Sequence, residues 1–103
     1  METWELAVRE HVRELIARYA RCADRGAFRE LVLLFAEEGI LEIDGRAPLR
    51  GRLAIQAFLE GVRDSRLRKN GTTYIRHHVS SLAIDVSDPE NASAESYFLV
   101  LRP

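Results

Sequence analysis

Apolar residues return every three or four positions from Trp4 to Ala23. Trp4, Val8, Val12, Leu15, Ile16, Tyr19, Ala20 and Ala23 fall on one face of a predicted helix over residues 3–24. The opposite face carries Glu5, Arg9, Glu10, Arg13, Glu14, Arg18 and Arg21. Glu5/Arg9 and Glu14/Arg18 place the acid four residues before the base, the favourable orientation on a helix. Thr3 is the expected N-cap and Gly26 the expected stop. A second helix is predicted over 27–37, with Phe28, Leu31, Val32, Leu34 and Phe35 apolar and Gly39 ending it. Ile40 to Ile43 predicts a short strand, Asp44-Gly45 a turn, and 47–50 a return strand that Pro48 confines to an edge. A third helix is expected over 52–63 and a polar loop over 64–73. Two long strands, 74–86 and 92–101, flank a turn at Asp88-Pro89-Glu90-Asn91. This order predicts one α+β domain over residues 1–103.

Composition narrows the partners. Apolar residues make up 47% of 103 residues and charged residues 30%, an ordinary folded composition. A formal net charge of -1 gives no basis for nucleic acid or an anionic membrane as the main partner. No apolar run is long enough to span a bilayer. The acidic start, Met1-Glu2-Thr3-Trp4-Glu5, runs straight into a helix and does not resemble a secretion signal. Cys22, the one cysteine, has no internal partner, so a reducing cytoplasm is the expected location. Asn91-Ala92-Ser93 matches a glycosylation sequon that such a location leaves unused.

Few residues suggest chemistry. His77 and His78 are neighbours on a predicted strand, so they face opposite ways and cannot share a metal. On strand alternation Val79, Ser81 and Ala83 share the face of His77, whereas Arg76, Ser80 and Leu82 share that of His78. By pattern alone a structural histidine is the commoner case, and an acid/base role the sharper one. Asp24 falls in the last turn of the first helix, where the dipole opposes a carboxylate. It reads either as a solvated partner of Arg21 or Arg25, or as half of an acid/base pair. Tyr19 and Tyr97 read as core aromatics or as pocket hydroxyls. Glu42 and Asp44 share a strand face at the solvent or a rim. Arg63, Arg66, Arg68 and Lys69 read as a solvated basic loop or an attractor of anions. Gly-rich phosphate loops, zinc-ligand spacings and serine-nucleophile elbows are absent from the sequence.

Taken in order, Leu15-Ile16-Ala17-Arg18-Tyr19-Ala20, Asp24-Arg25-Gly26, Phe28, Leu31 and Phe35 resemble the opening of the SnoaL-like branch of the NTF2-like superfamily. Glu38 to Ile43 resembles its next segment, and Gly51-Arg52 with Ile55 and Phe58 its third helix. Arg76-His77-His78-Val79-Ser80-Ser81 and Ala94-Glu95-Ser96-Tyr97 resemble its long strands. The resemblance implies a cone: a curved antiparallel sheet wrapped on three helices around an apolar pocket. Family members include polyketide cyclases, scytalone dehydratase and steroid isomerases, and their chemistry implies no cofactor and no metal.

By similarity to the dehydratase, His77 matches the catalytic histidine and Asp24 the carboxylate that orients it. Tyr19, Ser81, Tyr97, Val79 and Phe58 would then line the substrate pocket. The implied activity is a lyase, isomerase or cyclase reaction on a small polyketide-like or terpenoid-like molecule. The alternative is a non-catalytic ligand-binding or dimerisation module. Ser81 stands where many relatives carry Asn, and the dehydratase-type tyrosines near Ala23 and Gly45 are absent. Relatives usually continue with one or two further strands. The expectation is therefore a homodimer through the sheet or the apolar edge Tyr97 to Leu101, or a chain cut short at its C-terminus.

Overall fold

The computed structural model describes residues 1–102. Helix α1 runs Thr3–Arg25, α2 Phe28–Leu31 and α3 Arg52–Asn70. Strand β1 is Ile40–Leu41, β2 Leu49–Arg50, β3 Arg76–Asp88 and β4 Asn91–Leu101. The α+β expectation holds. Its strands form two separate antiparallel pairs, β1 with β2 and β3 with β4, not one continuous sheet around the helices.

Helix α1 ends where Gly26 enters the left-handed region at φ 70°. The Ala27 N–H donates to the Cys22 carbonyl at 2.9 Å and the Gly26 N–H to Ala23 at 3.2 Å. This paired closure fixes the last turn, and so the position of Asp24. The start of α1 differs from expectation: Glu2 is the cap residue, without a side-chain bond, and Thr3 lies inside the helix.

The second helix is shorter than its apolar spacing suggests. Four residues of α2 give way to a tight 3-10 turn, Val32–Leu34, and the chain is extended at Phe35. Arg52 explains the stop: its Nε and Nη2 both donate to the Phe35 carbonyl, at 3.0 and 2.8 Å, capturing a group that a continued helix would use. Helix α3 is longer than expected. It runs through the basic segment to Asn70, and Gly71 closes it at φ 71°. Arg68 and Lys69 sit in its last turn, where cations answer the helix dipole.

The core lies where the helices meet. Cys22, Phe28, Leu31, Val32 and Ile55 form its buried centre, with Tyr19, Phe35, Leu41, Leu49 and Leu59 packed around them. Leu31 and Ile55 are fully buried. Each such side chain contributes about 1.5–3 kcal/mol of burial free energy. The β3–β4 hairpin leans on α1 through the buried Ile84, and Arg9 Nη1 donates to the Ile84 carbonyl at 2.8 Å. A Cα radius of gyration of 15.1 Å exceeds the about 13 Å of a compact chain this size, so the hairpin projects from the helices.

One irregularity in β3 governs which residues face the helices. Ser80 pairs with Tyr97 but Ala83 pairs with Glu95, so β3 carries one extra residue. Ser81, at φ 53°, occupies this bulge. Before it the half-buried position is His77; after it Leu82, Ile84 and Val86 turn inward. The inward face changes from odd to even numbers. Strict alternation, which groups Ser81 and Ala83 with His77, therefore fails beyond Ser80.

Candidate active site

The last turn of α1 and the first residues of β3 meet at Asp24 and His77. Asp24 Oδ1 accepts from the His77 backbone N–H at 2.9 Å and contacts ring Nδ1 at 2.7 Å. The two side chains retain 16% and 20% exposure, which limits competition from water. An ionised carboxylate only accepts, so the contact requires a proton on Nδ1. In neutral His77 that leaves the Nε2 lone pair free. The Phe98 ring lies beside the imidazole, its centroid 6.2 Å away.

His77 stands on the wall of a cavity of about 780 Å³. Tyr19 enters from α1, Leu41 and Asp44 from β1 and the turn after it, Phe58 from α3, and Val79 and Phe98 from the hairpin. The walls are mainly apolar, with a few polar groups converging beside the histidine, as in a small-molecule site. Tyr19 also packs edge-on against Phe35, with centroids 6.2 Å apart. Its burial pushes the phenol above its ordinary value of 10.0, because the low-dielectric surroundings penalise the phenolate.

Of the residues singled out from the sequence, Tyr19, Phe58, His77 and Val79 line this cavity. Asp24 reaches it through His77. Tyr97 and Ser81 do not line it. Tyr97 is 74% exposed, while its neighbours Ser96 and Phe98 take the cavity-facing positions of β4. Ser81, at the bulge, lines a second cavity of about 650 Å³ with Asp24, Arg21, Arg76 and Ser80. His77 also borders that cavity, but Arg13, Arg21, Arg76 and Asp24 make its walls more polar. The apolar side is the better container for an organic molecule. Ile16, Leu41, Leu59 and Phe98 are cavity residues that sequence reading missed. β4 is exposed along almost its whole length, so no burial periodicity marks Phe98 in advance.

Among the described residues, no helix is long and apolar enough to cross a membrane. No cluster of three or more His, Cys, Asp or Glu among them could hold a metal ion.

Comparison with known proteins bears on the family and the fold. An NTF2-like protein with a cystatin-like fold from Novosphingobium aromaticivorans is 34% identical, with a TM-score of 0.79 over 94% of this chain and 60% of its own. A Catenulispora acidiphila protein solved in complex with S-DNPA is 28% identical, with a TM-score of 0.72 over 92% of this chain and 66% of its own. A candidate scytalone dehydratase from N. aromaticivorans covers the whole chain and 69% of its own length at TM-score 0.81; at 24% identity it bears on the fold alone. The chain thus spans less than two thirds of the length of the first two relatives. No curated protein matches it. The SnoaL-like domain model matches residues 4–102. Nearly the whole chain is covered by that match, and it belongs to the SnoaL-like family, with the NTF2-like fold.

Proposed function

We propose that residues 1–103 act as one domain that binds a small apolar molecule and transforms it by acid/base catalysis at His77. The observation carrying this reading is the 2.7 Å contact between His77 Nδ1 and Asp24 Oδ1 at the wall of an apolar cavity. Nε2 takes a proton from substrate carbon, and Asp24 stabilises the resulting imidazolium without taking its proton. Return of the proton to a departing hydroxyl gives an elimination, and return to another carbon gives an isomerisation; in a cyclisation the carbanion attacks a carbonyl carbon of the same molecule and the proton passes to the resulting alkoxide. The Tyr19 phenol, neutral at ordinary pH, donates to the oxygen that gains charge. Val79, Phe58 and Phe98 supply apolar contact. The fold supports this reading through relatives that handle small molecules, one of which was solved with S-DNPA.

A specific observation favours the second reading, a non-catalytic binding or dimerisation module. Phe98 is 66% exposed although it lines the cavity, so this wall is open to water. A second copy pairing along β4, where Tyr97 to Leu101 are consecutive apolar residues, would close it. A cytoplasmic location fits both readings, because reducing conditions keep the buried Cys22 thiol free.

Solvent deuterium exchange separates the two. The chain is incubated in heavy water with α-tetralone and related apolar ketones, and label at the carbon beside the carbonyl is followed by mass spectrometry. Catalysis predicts accelerated exchange, slowed at least about 100-fold by His77→Gln. Binding of S-DNPA with no exchange above background on any ketone would favour the binding module.

A further inference from the structure

Helix α3 presents a further ligand-sized hollow that His77 does not line, although Phe58 borders both. We propose that this cleft binds an organic oxyanion: an apolar body carrying a phosphate or carboxylate. Its volume is about 520 Å³, within the about 300–1,000 Å³ of small-molecule sites. Phe58, Val62, Arg66 and Lys69 recur at helical spacing and line one side. Arg46, from the turn between β1 and β2, and Arg102, after β4, close the other. Four cations therefore converge from three separate parts of the chain, and no carboxylate is among the lining residues.

Two observations distinguish this cleft from an ordinary solvated basic surface. The Arg66 Nε is buried and lacks a hydrogen-bond partner among the described residues. A buried guanidinium N–H without an acceptor is costly, and the guanidinium that carries it lines the cleft, where an oxyanion would pair with its charge. Second, the helix dipole explains cations in the last turn of α3 but not Arg46 or Arg102, which belong to other elements. Arg46 lies 4.7 Å over the Phe58 ring, holding a charge above an apolar floor. Gly61 leaves that floor open: a Cβ there would meet nothing within 4 Å. A ligand with both an anionic head and a flat apolar body matches these walls.

The test titrates the chain with phenyl phosphate, benzoate, inorganic phosphate and benzyl alcohol while amide NMR shifts are followed. At least one of the two organic oxyanions should bind more tightly than inorganic phosphate and benzyl alcohol, moving amides across residues 58–70 and Arg102. Binding by phenyl phosphate alone identifies a phosphate ester as the ligand class, and by benzoate alone a carboxylate. Affinity should fall as salt rises. Arg66→Gln and Arg46→Gln should each weaken it about tenfold. If Arg66→Gln unfolds, the exposed Arg46→Gln and Lys69→Gln carry the test. Equal binding of benzyl alcohol, shifts centred on His77 and Val79, or affinity unchanged in the folded variants would each overturn the proposal.

Discussion

Asp24 holds His77 twice, accepting its backbone N–H at 2.9 Å and its ring Nδ1 at 2.7 Å through the same oxygen. The double contact joins the end of α1 to the start of β3, so one carboxylate sets both strand position and ring orientation. Asp24→Ala leaves two donors of His77 without an acceptor. It should destabilise the protein by about 1–3 kcal/mol in urea unfolding. Asp24→Asn retains an oxygen acceptor and should cost less. Unchanged stability in Asp24→Ala would show that water replaces the carboxylate freely.

The tautomer can be read directly. Nitrogen chemical shifts of the His77 ring should report a protonated Nδ1 and an unprotonated Nε2 in the neutral form. Asp24→Leu should remove that preference. A neutral ring protonated at Nε2 in the wild type would leave no base facing the cavity.

Ser81 is the non-glycine residue with positive φ among those described, at 53°. Ser81→Gly should raise stability by about 1 kcal/mol or leave it unchanged, and Ser81→Val should lower it. Deleting Ser81 is a harsher test. It removes the extra residue, restores strict alternation and leaves Leu82, Ile84 and Val86 on the face of His77 with their pairing to β4 unchanged, so cooperative thermal unfolding should be retained. A deletion variant that loses its cooperative transition would mean that the extra residue itself is needed to seat the hairpin on α1.

Burial sets the alkaline behaviour of Tyr19. Its pKa is raised from 10.0 because the phenolate is desolvated, so the fold favours the neutral phenol. Its contribution is complete below about 10, the unfolded value, and is lost as pH rises through the higher folded value. Phenolate absorbance should show one tyrosine titrating above the others, and Tyr19→Phe should remove that component.

Asp88 governs the opposite end of the pH scale. Its carboxylate accepts from the Glu90 N–H at 2.8 Å and from the Asn91 amide at 3.0 Å, which lowers its pKa from 3.8. The turn is therefore fully supported above 3.8 and loses that support as pH falls through the lower folded value. Amide exchange at residues 88–91 should quicken on acidification, and Asp88→Ala should exchange fast at every pH. Identical profiles would remove the carboxylate from the account.

Local signals were legible where the residues themselves cause the structure. The α1 stripe, the Gly26 stop and the Asp88 turn all follow from side chain and backbone preferences within a few positions. The meeting of Asp24 and His77 was visible only through family resemblance, since 53 positions separate them. What stayed hidden depends on tertiary contact. Arg52 ends the second helix from 17 positions away, and the bulge at Ser81 has no glycine to announce it. Tyr97 drew attention over Phe98 because a hydroxyl suggests chemistry, while the register that turns Phe98 to the cavity is set by pairing with Val79.

The extra residue at Ser81 has an evolutionary consequence. It divides β3 into two halves whose side chains answer to different demands: His77 and Val79 to whatever occupies the cavity, Leu82, Ile84 and Val86 to the helix behind. Drift in one half need not be compensated in the other, because the inward side chains before the bulge line the cavity and those after it do not. A lineage could retune what the cavity accepts through odd positions before the bulge while the even positions after it hold the scaffold constant. Such decoupling would help a small protein change its chemistry without renegotiating its fold.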